Sequence, residues 1–222
     1  MKLEIKELTK HIGSTEGLKD ISLTAESGQV VGLAGVNGSG KTMLMRAILG
    51  LMRPSSGGVW IDGKLLGIEI QVPPSVGFLL EGPAFLDTRT GLDNLALIAA
   101  LKGKADREHL RELLHTVGLD PDDHRRYRKY SLGMKQRLGI AAAVMGSPDL
   151  IVLDELTNAL DTSGVEMVAE LVRRERDRGA ALVIASHDPR ILTTLSDELY
   201  HLAEGHLDGH EVLKGSDSHG EQ

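Results

Sequence analysis

The rhythm of hydrophobic and polar positions changes several times along the chain, and each change marks an element. Leu3 and Ile5 alternate with charged residues, which predicts an edge strand with one buried face. Ile21-Ser22-Leu23-Thr24-Ala25 repeats that alternation. The turn Glu26-Ser27-Gly28 then leads into Gln29 to Ala34, a near-continuous apolar run of the kind found in strands buried on both faces. From Met43 to Leu49 the spacing becomes helical, closed by Gly50 and stopped before Pro54. Ser55 to Gly58, Val59-Trp60-Ile61 and Asp62-Gly63 read as a hairpin, with Trp60 packing within a strand. Val76 to Leu80 is a further apolar strand, ending at Glu81-Gly82-Pro83.

Helical periods take over from about Thr90. Leu92, Leu95, Leu97, Ile98 and Leu101 fall on one apolar face, and Leu110, Leu113, Leu114 and Val117 on a second. Strands then return with Asp149 to Asp154, a helix from about Ser163 to Arg178 with Val165, Val168 and Val172 inward, and the buried strand Ala180 to Ala185. Strands alternating with helices predict an α/β fold with a mostly parallel sheet flanked by helices. The expected organisation is one domain: an α/β core over 1–82 and 146–213, a helical sub-domain inserted at 83–145, and an antiparallel β sub-domain near the start. A polar, glycine-rich tail over 214–222 is expected to be disordered.

Composition narrows the function classes. The chain has 222 residues, enough for a real core, and a net charge of −7, which argues against an extended nucleic-acid surface. His124 to Lys129 is a local basic run; a solvated face is the ordinary reading and an RNA site the weaker one. With no cysteine there are no disulfides and no thiolate metal sites, as suits a reducing cytosol. The start carries no hydrophobic signal core, and no apolar run approaches the ~20 residues of a membrane span, so the expectation is a soluble chain that reaches a membrane only through a partner.

The sharpest chemical signal is Gly35-Val36-Asn37-Gly38-Ser39-Gly40-Lys41-Thr42, which fits G-x-x-x-x-G-K-[ST] between a strand and a helix. The glycines let backbone N–H groups turn toward a phosphate, and the helix N-terminus adds its dipole. Lys41 is expected at the β- and γ-phosphates and Thr42 on Mg²⁺, so the chain is expected to bind a nucleoside triphosphate. Asp154 and Glu155 end an apolar strand, at the sheet edge where ligands bind in such folds. Asp154 suits Mg²⁺, and Glu155 suits polarisation of the attacking water. His187, just past the next strand, is expected at the γ-phosphate; a satisfied polar histidine is the plainer alternative.

Tyr130-Ser131-Leu132-Gly133-Met134-Lys135-Gln136-Arg137 adds a second half to the site. Serine opening a helix is most often only an N-cap, yet serine with glycine two residues on also makes an anion site. Here the chain resembles the ATP-binding subunits of ABC transporters over nearly its whole length. The L-S-G-G-Q signature followed by Q-R maps onto 130–137, with tyrosine, leucine and methionine as departures. The D-loop maps onto Ala159-Leu160-Asp161 and the switch histidine onto His187. With the phosphate loop and Asp154-Glu155, five motifs stand in the family's order.

The resemblance implies a phosphate-loop NTPase fold, ATP with Mg²⁺ as ligands, and a head-to-tail dimer of this chain with itself or a homologous subunit. Ser131 and Gly133 would then meet the nucleotide bound by the other copy's Lys41, with Asp161 nearby. It also implies a separate membrane permease, which places the chain in the cytoplasm at the inner face of the membrane. Three departures stand out: Glu81 replaces the glutamine expected as a Mg²⁺-side contact, Leu156 replaces a proline, and Ile12, beside His11, replaces the aromatic that stacks on the base. Glu81 to Phe85 and Tyr130 to Gln136 are most similar to the branch that exports bacitracin or lantibiotic-type peptides for self-protection. Competing readings are a soluble ABC protein acting on nucleic acid or ribosomes, another phosphate-loop enzyme such as a kinase or GTPase, and a module that binds ATP without turnover.

Overall fold

The computed structural model describes residues 1–213 apart from Pro83, Lys102, Lys104 and Ala105; the tail from Lys214 and the Pro83 part of the link to the helical segment lie outside the described residues. In chain order, β1 (Lys2–Ile12) and β2 (Thr15–Glu26) form a long hairpin, and β3 (Val30–Ala34) leads into α1 (Lys41–Ile48). A second hairpin follows, β4 (Ser56–Ile61) with β5 (Lys64–Leu65), and then β6 (Val76–Leu79). Three helices come next: α2 (Gly91–Leu101), α3 (Arg107–Thr116) and α4 (Leu132–Val144). The chain closes with β7 (Leu150–Asp154), α5 (Thr162–Asp177), β8 (Ala181–Ser186), α6 (Pro189–Leu195), β9 (Glu198–Ala203) and β10 (His206–Val212).

Two sheets result. One has the order β2-β1-β4-β5 and is antiparallel. The other has the order β10-β9-β3-β8-β7-β6 and is parallel except for β10, which returns antiparallel on β9. The larger sheet explains its own sequence pattern. Successive residues of a strand point to opposite faces. In β7, Ile151 and Leu153 enter the core built with α2 to α6, while Leu150 and Val152 enter the core shared with α1 and the antiparallel sheet. A strand covered on both sides has no polar face, so alternation disappears from its sequence.

Several expectations change in detail. The first strand is not an edge: β1 pairs with β2 on one side and β4 on the other, because the 59–61 segment hydrogen-bonds along its free side. Leu97 and Leu101 are exposed, 45% and 88%. The inward stripe of α2 is Leu92, Leu95 and Ala99, and a helix cannot turn Leu97 and Leu101 to the same side. Val165 is half-buried, whereas Val168 and Val172 are fully inward. Within the basic run Tyr127 is buried, with Phe85 edge-on at 5.3 Å, while the residues on either side of it are exposed. Trp60 is half-buried, with Lys6 Nζ 5.1 Å from its ring centroid.

The helices α2, α3 and α4 come between β6 and β7 and bury their apolar stripes in the same cluster as Leu79, Ile151 and Leu153. The joint between α4 and β6 is close. A Cβ on Gly77, in the middle of β6, would land on the carbonyl oxygen of Ala143 in α4. Glycine at this position lets helix backbone rest on strand backbone. Gly77→Ala should therefore lower the unfolding midpoint in urea, by on the order of 1–3 kcal/mol of unfolding free energy as overpacking does. An unchanged midpoint would mean that α4 can stand off from β6 at no cost.

Candidate active site

The parallel register delivers three chain segments to one edge. Ala34 pairs with Ser186 and Asp154 with Ala185, so the loop after β3, the acids ending β7 and the residue after β8 emerge together. Ligands of open α/β sheets bind at this edge. A cleft of about 490 Å³ opens there, lined by Asn37, Gly38, Gly40, Lys41 and Thr42 of the loop, by Met43, Arg46, Leu51 and Met52, by Ile12, and by Glu81, Asp154 and Glu155.

The loop is shaped by its glycines at the two ends of a tight turn. Ser39 N–H donates to the Val36 carbonyl at 3.2 Å, and Gly40, at φ +110°, caps α1 from the left-handed region. A side chain at 40 would need that strained angle and would also press on Leu18 Cδ2. No side chain caps α1. Its first-turn N–H groups therefore face the cleft side without an internal acceptor, which suits an anion. Lys41 is buried, and its Nζ donates to the carbonyls of Gly35 at 2.6 Å and Val36 at 3.0 Å. Of the loop residues singled out in the sequence, Gly35, Val36 and Ser39 do not line the cleft; Ser39 is buried behind it.

Each acid at the edge has its own partner. Thr42 Oγ1 donates to Asp154 Oδ2 at 2.6 Å. His187 Nδ1 lies 2.6 Å from Glu155 Oε2, and because an ionised carboxylate only accepts, the proton of that bond sits on Nδ1. Arg46 Nη2 donates to Glu81 Oε1 at 2.8 Å. Burial pushes the Asp154 carboxyl above its ordinary range; the Thr42 hydroxyl pulls it back in part, and the neighbouring Glu155 charge pushes it up again.

Glu155 adopts φ +49°, a left-handed angle that costs a residue with a side chain ~1–3 kcal/mol. Two bonds hold it there. Its N–H donates to the Ala185 carbonyl at 3.0 Å, and its carbonyl accepts from Gln136 Nε2, also at 3.0 Å. Gln136 lies in α4 and reaches the edge from the helical side. Sequence reasoning had Gln136 and Arg137 only as letters of a motif; a side-chain bond to the main chain of Glu155 leaves no trace in spacing. Arg137 donates to Val117 O and to Asp161 Oδ1, both at 3.1 Å, and so ties the end of α3 to the start of α5.

Ser131, Gly133 and Asp161 stand outside this cleft. Ser131 is the N-cap of α4, its Oγ accepting from Met134 N–H at 3.2 Å, and Gly133 follows in the first turn. Asp161 is the N-cap of α5, with its carboxyl held below the ordinary range, first by the Gly164 N–H. Ile12 does line the cleft and is 56% exposed, whereas His11 does not line it. Leu156 is fully buried, so the departure from proline fills core volume.

The donors fit Mg²⁺ of a particular kind. Thr42 and Asp154 offer a hydroxyl and a carboxylate in contact, which are hard oxygen ligands. Among the described residues no group of three or more His, Asp or Glu side chains is placed to hold a metal unaided. That suits an ion that takes one or two protein oxygens and completes its shell with phosphates and water.

The ABC transporter family profile matches residues 18–158. The chain belongs to the ABC transporter family. It is 39% identical over 211 residues to an uncharacterised ABC transporter ATP-binding protein, YybJ, of Bacillus subtilis, covering 95% of this chain and 97% of that one. It is 37% identical to the bacitracin transport ATP-binding protein BcrA of Enterococcus faecalis, covering 92% of this chain and 67% of that protein. The ATP-binding subunit of an ABC transporter superposes with a TM-score of 0.86 at 27% identity, covering 96% of this chain and 90% of that one. This ABC protein is accordingly an ATP-binding, ATP-hydrolysing subunit of a transporter.

Asp154 should carry a stability cost for its position. Burial holds its folded pKa above the ordinary carboxyl range, so the folded chain holds this proton more tightly than the unfolded one. Its contribution to stability is greatest below the unfolded value and is lost as pH rises through the folded one. At neutral pH Asp154→Asn should therefore raise the thermal unfolding midpoint of the ligand-free protein while abolishing Mg²⁺-dependent ATP hydrolysis. A lowered midpoint would mean that the ionised carboxylate stabilises the fold.

Proposed function

We propose that this chain hydrolyses Mg²⁺-ATP in a head-to-tail pair with a second copy or a homologous subunit, and that the pair powers a separate permease exporting a peptide antibiotic or similar amphiphile. The observation that carries the pairing is the division of the motifs. Lys41, Thr42, Asp154 and Glu155 line one cleft, while Ser131 and Gly133 stand outside it at the exposed N-terminal turn of α4. A helix start with serine and glycine is an anion site, and a second copy can bring its cleft to it.

Within the pair, the loop amides from Gly35 to Thr42 and Lys41 hold the phosphates. Thr42 and Asp154 hold Mg²⁺, which when bound neutralises charge building on the phosphate oxygens. Glu155 takes a proton from the water that attacks the γ-phosphorus, the β–γ bridging bond breaks, and its electron pair leaves on ADP. His187 fixes the Glu155 carboxylate through its Nδ1–H and, when Nε2 also carries a proton, donates from Nε2 to the transferred phosphoryl group. The partner's signature turn and Asp161 complete the enclosure and exclude water. Among the described residues no helix is long and apolar enough to cross a membrane, and in this reading the chain is held at the inner face of the membrane by the permease. The export reading is supported by the bacitracin transport protein above and by a lantibiotic transport ATP-binding protein of Streptococcus pyogenes, 31% identical over 216 residues.

Glu155→Gln should bind ATP normally, lose turnover by ~10²-fold or more, and elute as a dimer in size exclusion with ATP and Mg²⁺. Turnover at the native rate would take the proton-accepting role away from Glu155, and a monomer would count against the shared site. Purification of the chain from membranes should bring a permease with it, and recovery without one would remove the transport partner.

Ile12 lies in the cleft but offers no aromatic face, so base binding loses ~1–3 kcal/mol of stacking by analogy with nucleic-acid stacking platforms. Ile12→Tyr should tighten ATP binding, and the native chain should discriminate only modestly between ATP and GTP. Equal ATP affinity for the two forms, measured by calorimetry, would place residue 12 away from the base.

A further inference from the structure

Two cationic side chains line the cleft, Lys41 and Arg46. Lys41 is engaged by the loop carbonyls at Gly35 and Val36. Arg46 lies four residues after Thr42, so the two side chains project from neighbouring turns of one face of α1. Its Nη2 holds Glu81 Oε1 at 2.8 Å. Glu81 reaches that position from just beyond β6 through a left-handed backbone angle, φ +50°, a conformation that a side chain rarely takes unless its surroundings require it. Both side chains are about half-exposed, 48% for Arg46 and 58% for Glu81, so water screens the pair and its opening is cheap.

Three carboxylates line this cleft; that of Glu81 is held directly by a guanidinium, whereas Lys41 acts on Asp154 only across space. The geometry points to Arg46 as a positioning residue: we propose that it competes with Mg²⁺ for the Glu81 carboxylate and so sets the Mg²⁺ concentration at which nucleotide is captured. This rests on the Mg²⁺-ATP reading above. With Arg46 holding it, the Glu81 charge toward the Thr42–Asp154 side is offset in part. Freed from Arg46, the carboxylate adds both a mobile oxygen ligand and an uncompensated negative charge, and each strengthens the hold on a divalent cation. Arg46 therefore keeps the protein from taking up metal before the nucleotide's phosphates arrive.

The test uses the full chain and two binding measurements that need no turnover: the Mg²⁺ midpoint for binding a fluorescent ATP analogue, and Mn²⁺ binding to the protein alone by electron paramagnetic resonance. Arg46→Gln should lower the Mg²⁺ midpoint and tighten Mn²⁺ binding by roughly two- to fivefold, the ratio a half-exposed ion pair is worth. Arg46→Lys, which keeps the charge, should stay near the native values and also serves as the control for folding. In a Glu81→Gln background, Arg46→Gln should change neither value. An unchanged midpoint in Arg46→Gln would overturn the proposal. An equal shift in the Glu81→Gln background would overturn it too, because the effect would then be the loss of a cation anywhere in the cleft. If the native chain itself failed to bind the analogue at any Mg²⁺ concentration, the nucleotide reading would fall first and take this proposal with it.

Discussion

Everything at the cleft depends on β8 lying between β3 and β7 in parallel register. Pairing Ala34 with Ser186 and Asp154 with Ala185 makes the three strands end level. Residues far apart in the chain then face one another: the Thr42–Asp154 hydrogen bond spans 112 positions, and the His187–Glu155 contact spans 32. A slip of β7 by a single residue would turn Asp154 to the other face of the sheet and put Leu153 or Glu155, depending on the direction, in its place opposite Ala185. The apolar side chains that fill both faces of β7 and β8 guard against that slip, since each face is complementary to a different core.

The site also concentrates what the fold would otherwise avoid. A buried carboxylate at Asp154, left-handed backbone at Glu81 and Glu155, and a lysine folded under its own loop all gather within one cleft. Each is over-determined by neighbours: a hydroxyl for Asp154, an imidazole and two backbone-directed bonds for Glu155, a guanidinium for Glu81. Strained residues cluster where function needs pre-organisation, and the surrounding core supplies the stability they forgo.

How much of this was legible in the sequence follows from what each feature depends on. The phosphate loop, the buried strands and the helix beginning after Gly40 are local, so period and spacing reveal them. Asp154 and Glu155 could be assigned to a ligand-binding edge because an apolar run ending in acids has few other readings in an α/β chain. Tertiary pairing was less legible. The alternation at Leu3 and Ile5 is the same for an edge strand and an inner strand with one solvated face, so the partnership of β1 with β4 could not be read there. Leu97 and Leu101 have the composition of a core but not its angle. Arg46, Gln136 and Arg137 act through contacts 35, 19 and 24 positions away, and nothing in their local spacing points to those partners.

Gly77 gives the two halves of the chain a common mechanics. At Gly77 strand backbone rests directly on helix backbone, so at that point β6 and α4 have no side chain between them to repack. Steric fit, rather than a flexible cushion, joins them, so they translate as one body. Glu81 sits just beyond the C-terminal end of β6, and Ser131 caps the N-terminal end of α4, the end from which Gln136 reaches Glu155 at the cleft edge. A displacement of α4 that carried Ser131 would therefore press directly on β6, the strand that Glu81 follows.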